Sequence, residues 1–75
     1  MTERTKELRS ILIQLLIGLG MTKPRIMLTM AIISAYQIEY EMAYWAVDYY
    51  KKNGLLTVKI FMSKLNELTD DIDSY

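Results

Sequence analysis

Apolar residues recur along this chain at three- and four-residue intervals in four blocks, and no stretch alternates as a half-buried strand would. The first block, Leu8, Ile11, Leu12, Leu15, Leu16 and Leu19, lines one face of a helix predicted over about Glu3 to Leu19, with Thr2 as its N-cap. Ile13 and Ile17 lie off that face, so the second half of this helix is apolar nearly all round and should be covered on more than one side. Gly18 and Gly20 end it. Thr22-Lys23-Pro24 opens a second, short helix, since a proline in the first turn gives up no hydrogen bond. Its apolar positions are Ile26, Met27, Met30 and Ile33, with Leu28 and Ile32 beside them.

Ser34-Ala35-Tyr36-Gln37 has the form of a capping box and predicts a third helix from about Ala35 to Lys52. A single helix from Pro24 to Lys52 is the competing reading, but it is long for so small a domain. Asn53-Gly54 is a stop, with Gly54 in a left-handed cap and Leu55 placed for the accompanying apolar contact. Thr57 then caps a fourth helix from about Val58 to Thr69. Its stripe is Val58, Phe61, Met62, Leu65 and Leu68, and Ile72 stands one turn further along. The pattern predicts an all-α fold, a bundle of four short helices in a single domain over residues 1–75, with 70–75 a frayed acidic tail. Leu15, Ile26, Met42, Trp45, Phe61 and Leu65 are expected to be buried together.

With 75 residues the chain buries only about 60% of its unfolded surface. A dense helical core or an interface with another chain is therefore expected. The apolar run Ile11 to Met21 follows a charged N-terminus, as in a signal peptide. However, Glu3 and Glu7 offset Arg4, Lys6 and Arg9, and no small-x-small cleavage site follows. It is also short of the roughly 20 residues of a membrane span, so a buried helix is the preferred reading. The chain has no His and no Cys, which excludes Cys/His zinc sites, His or Cys nucleophiles and disulfides. A chain without disulfides fits a reducing compartment, and a cytoplasmic location is expected.

Little in the sequence suggests catalysis. Glu39 and Glu41 are two apart on a helix and so face different ways. Glu67 with Asp70 or Asp71 could approach each other only at the chain end. There is no phosphate loop, nucleophile elbow or acidic calcium loop. A non-enzymatic protein with no cofactor, no metal and no small-molecule substrate is expected.

The most distinctive feature is the tyrosine-rich third helix. Ile38, Met42, Trp45 and Tyr49 have the spacing of a core face. Tyr36, Tyr40, Tyr44 and Val47 form a second stripe. Tyrosine suits surfaces that are dry at one end and wet at the other, and it is enriched at interface hot spots. Together with Ile13 and Ile17, this stripe is the candidate partner surface, with a second copy of the chain as the expected partner. Neither set contains a charge.

Charge is uneven although the total is zero. Through Asn66 there are nine basic residues against five acidic, net +4, and the last nine residues are net −4. This keeps nucleic acid open as an alternative partner. The third helix carries Glu39, Glu41 and Asp48, which repel phosphate, so the candidate reader is the fourth helix with Lys59, Ser63, Lys64 and Asn66.

Leu16-Ile17-Gly18-Leu19-Gly20-Met21, a short helix, and then Ile38-Glu39-Tyr40-Glu41-Met42-Ala43-Tyr44-Trp45 together resemble the three-helix pattern of ubiquitin-associated (UBA) domains. In that family a hydrophobic-Gly-aromatic loop follows the first helix, and aromatics follow an aliphatic-Glu start to the third. The resemblance covers about half the chain. Met21 stands where the family has an aromatic, Glu41 where a small residue is usual, and the turn at Ser34 to Gln37 is shorter. The resemblance implies a UBA-like three-helix core plus a C-terminal helix, with Leu19, Gly20 and Met21 contributing to a partner-binding patch. The Leu-Gly-Met-Thr-Lys opening to the second helix also looks like that of small helical proteins of bacterial and phage genomes. The function expected is a small protein-interaction module that forms a homodimer. The alternative is a helix-turn-helix-like nucleic-acid-binding accessory or regulatory protein.

Overall fold

A computed structural model describes residues 2–74 and contains four helices: α1 (Glu3–Gly18), α2 (Lys23–Tyr36), α3 (Glu39–Asn53) and α4 (Val58–Asp73). No strand occurs among the described residues. α1 packs against both α2 and α3, most extensively against α3, and α4 packs on α3. Every ion pair among the described residues joins side chains three or four apart on one helix, as in Lys52 to Asp48 at 3.1 Å. Such exposed pairs contribute little, so the helices are held together by apolar burial.

The connections are short because the helix ends are tightly turned. At the end of α1, Gly20 takes φ +88°, its N–H donates to the Ile17 carbonyl, and the Met21 N–H donates to that of Leu16. This is a Schellman motif, and its characteristic apolar contact falls on Leu16 and Met21, both buried. α2 ends the same way. Gln37 takes φ 56° and donates to the Ser34 carbonyl, and Ile38 donates to that of Ile33, again with both apolar partners buried. The capping box expected at Ser34 is therefore absent. Ser34 lies inside α2, and its Oγ accepts a 2.9 Å bond from the Arg9 guanidinium. The third helix starts at Glu39 rather than Ala35, and α2 and α3 are separate helices. Gly54, at φ 71°, closes α3 as expected, its N–H donating to the Tyr50 carbonyl at 2.7 Å. The apolar residue buried beyond that turn is Leu56, while Leu55 is exposed.

α4 opens on Thr57, whose side chain accepts from the Ile60 N–H at 3.2 Å. It runs through Asp73, past the expected end at Thr69, so the tail expected to fray is helical up to that point. No Gly or Pro follows Thr69 to stop it. Ser74 caps the end, donating to the Asp70 carbonyl, and the Tyr36 hydroxyl donates to Asp73 at 2.9 Å. That bond counters the unfavourable placement of three aspartates at a helix C-terminus. Tyr75 lies outside the described residues.

One apolar cluster fills the centre. Its fully buried members include Leu12, Leu16, Ile33, Met42, Phe61 and Leu65. Ile26, Met42, Phe61 and Leu65 are buried as expected; Leu15 and Trp45 are only half-buried. The core line of α1 is Leu8, Leu12 and Leu16, one turn apart, and that of α3 is Met42, Ala43 and Ala46. The alanines let α1 approach α3 closely, which rotates Trp45 and Tyr49 toward α4. There the Trp45 ring meets Tyr49 at 5.3 Å and the edge of Phe61 at 6.3 Å. Thr29, the one fully buried polar side chain among the described residues, donates to the Arg25 carbonyl at 2.7 Å.

Candidate interaction surfaces

The residues expected to form one partner surface are distributed over three places. The first is a hollow between α1 and α3. Rotation of α3 about its Ala43–Ala46 line leaves Tyr40, Tyr44 and Val47 facing outward at 54, 65 and 47% exposure. The two tyrosine rings stack at 6.0 Å, 17° from parallel, as the spacing of four on one helix allows. Their neighbour on α1 is Ile11, 47% exposed, and Leu8 and Ala43 form the floor. Arg4 is the charged side chain that borders this hollow.

The second place is a groove between α1 and α2. Ile13, half-buried, and Ile17, 54% exposed, line it together with Met27, 64% exposed, and Met30. These isoleucines therefore belong to a different face from the tyrosines; the partner of the tyrosines on α1 is Ile11. The loop between the two helices contributes Leu19, half-buried, and exposed Gly20, whereas Met21 is buried and forms part of the groove floor.

The third place holds Tyr36 alone. It belongs to α2, not to the stripe of α3, and its hydroxyl is committed to Asp73. Bonding to that carboxylate, with the neighbouring charge of Asp70, holds the Tyr36 pKa above the ordinary phenol value.

The candidate nucleic-acid residues separate as well. Lys59, Ser63 and Asn66 border a shallow hollow completed by Arg25 of α2, which adds a cation absent from the expected set. Lys64 leans toward the Trp45 and Tyr49 side, where it pairs with Glu67 at 3.3 Å. Of the carboxylates considered for acid–base chemistry, Glu39 is buried in the first turn of α3 and Glu41 is exposed. Among the described residues no group of three acidic side chains is placed to hold a metal ion, and no helix is long and apolar enough to cross a membrane.

No known family, curated protein or solved structure matches this chain.

The tyrosine hollow can bury apolar surface on a flat or shallow partner. Ile11, Tyr40, Tyr44 and Val47 expose aliphatic and aromatic carbon without an acid or base between them, and the phenol hydroxyls can find partners at a wet rim.

Proposed function

We propose that this protein is a non-enzymatic protein-interaction module of the cytoplasm that pairs with a second copy of itself through the α1/α3 face. The observation that carries this reading is the exposed cluster of Ile11, Tyr40, Tyr44 and Val47. Contiguous apolar patches larger than roughly a few hundred Å² are uncommon on monomers, and such patches mark sites of association. A standard interface takes about 800 Å² from each partner, so these four side chains form the centre and polar neighbours such as Arg4 form the rim. A two-fold axis through the Tyr40–Tyr44 pair places each patch on its own copy. The UBA-like pattern would instead direct a partner to Leu19, Gly20 and Met21. With Met21 in the core, Leu19 and Gly20 alone support that site.

Sedimentation equilibrium tests the proposal. A mass near twice 8.8 kDa at micromolar concentration, lowered by Tyr44→Glu with helicity retained, supports it. A mass near 8.8 kDa at every concentration overturns it. The second reading, a nucleic-acid-binding accessory protein, draws on the Arg25, Lys59, Ser63 and Asn66 hollow. It requires retention on DNA or heparin that weakens steeply with salt, and it predicts loss of that retention in Arg25→Glu.

A further inference from the structure

The groove between α1 and α2 has a chemistry different from that of the tyrosine face. Its apolar walls come from Ile13 and Ile17 on one side and Met27 on the other, over a floor that includes buried Met21 and Met30, and its volume is about 540 Å³. That volume falls within the range of about 300–1,000 Å³ typical of binding clefts. The groove lies between two helices and is partly open to solvent, so an occupant can lay one apolar face into it. Met27, the exposed methionine of the lining, has a flexible and polarizable side chain that can mould to apolar anchors of varied shape.

Charge narrows the choice of occupant. The two charged side chains on the rim, Arg9 and Lys23, are both basic. Between Leu8 and Ile38 the chain contains no Asp or Glu at all, so most of α1 and all of α2 are free of acidic residues. Arg9 is held in place by the bond from its Nη1 to Ser34 Oγ. Its other N–H groups remain able to grip a carboxylate, which a guanidinium does in forked geometry.

We propose that this groove docks an amphipathic helix from a protein partner, with aliphatic anchors on one face and acidic residues flanking them. Anchors at i, i+3 or i+4, and i+7 of such a helix would lie along the groove. Flanking carboxylates would meet Arg9 and Lys23. This site is independent of the tyrosine face, so a protein that is monomeric through Tyr44→Glu retains it.

The test uses the full chain with ¹³C-methyl methionine and a capped peptide of about fourteen residues, with Leu at alternating three- and four-residue spacing, Glu flanking the Leu stripe and Ala elsewhere. The same peptide with Lys for Glu, and decanoate, are the comparison probes. Saturable shifts of the Met27 and Met30 methyl signals with the Glu peptide and none with the Lys peptide are expected. Binding should weaken with salt, and about tenfold in Lys23→Glu. Lys23 is exposed in the first turn of α2, where an acidic residue suits the helix N-terminus, so this variant folds. Equal binding of both peptides, or shifts confined to the tyrosine face, would overturn the proposal. So would binding of decanoate without the peptide, which would point to a small anionic amphiphile. Methyl shifts that follow protein concentration with no peptide added would assign the groove to a second copy and also overturn it.

Discussion

Phe61 joins α4 to the rest of the bundle, and its truncation is the sharpest test of the packing. The side chain is fully buried, and its edge meets the Trp45 ring at 6.3 Å. Replacing it with Ala removes a phenyl ring from a closed site and leaves a cavity, at a cost of about 3–5 kcal/mol. A domain of this size has a total stability on the order of 5 kcal/mol, so Phe61→Ala should lose most of it and stay folded by about 2 kcal/mol or less. Urea unfolding followed by far-UV circular dichroism is the assay, because Trp45 fluorescence responds to loss of the neighbouring ring itself. With a urea slope of about 1 kcal/mol/M, the midpoint should fall by about 3 M or more. Phe61→Leu, which retains most of the volume, should cost under about 1.5 kcal/mol. Trp45→Ala should cost less than Phe61→Ala, about 1.5–3 kcal/mol, because the indole is only half-buried. A midpoint drop under about 1 M in Phe61→Ala, or a larger loss from Trp45 than from Phe61, would refute the assignment of α4 to the core.

Two helix caps predict opposite signs for their substitutions. Gly54 has φ 71° and open space where a Cβ would stand, so Gly54→Ala should destabilise by about 1 kcal/mol through backbone strain alone. Gln37 has φ 56°, and Gln37→Gly should stabilise by about 0.5–1 kcal/mol, both read by thermal melting. Tyr36 is protonated when it donates to Asp73, and its pKa is raised above 10.0 in the folded state. Its contribution to stability is therefore complete below the unfolded phenol pKa and is lost as pH rises through the folded value. An NMR titration of the tyrosine ring carbons should show Asp73→Asn lowering the Tyr36 pKa, and an unchanged value would discount the contact.

The four helices were legible in the apolar spacing, and so were the caps at Thr2, Gly54 and Thr57, because those residues show their capping role by type. The turn between α2 and α3 was not. Ser34 and Gln37 imitate a capping box, whereas the chain puts Gln37 in a left-handed conformation that few side chains adopt and buries Ile33 against Ile38. Periodicity also gave the apolar character of α1 without its rotation. With Ile11, Ile13, Leu15 and Ile17 all apolar, several faces could have been the core, and Leu8, Leu12 and Leu16 took it. On α3 the aromatic residues suggested a core line through Trp45. The small volumes of Ala43 and Ala46 decided otherwise, by allowing α1 to come close. That rotation is why Tyr40 and Tyr44 emerged as expected, why their neighbour is Ile11 rather than Ile13 or Ile17, and why Tyr36 is elsewhere.

The central claim is that two copies meet on the tyrosine face. The most direct measurement is an isotope-filtered nuclear Overhauser experiment on an equal mixture of labelled and unlabelled protein. Cross-peaks between copies should arise from the Tyr40 and Tyr44 rings and the methyl groups of Ile11 and Val47, and should vanish in Tyr44→Glu. Cross-peaks arising from Ile17 and Met27, or none at concentrations well above micromolar, would contradict it.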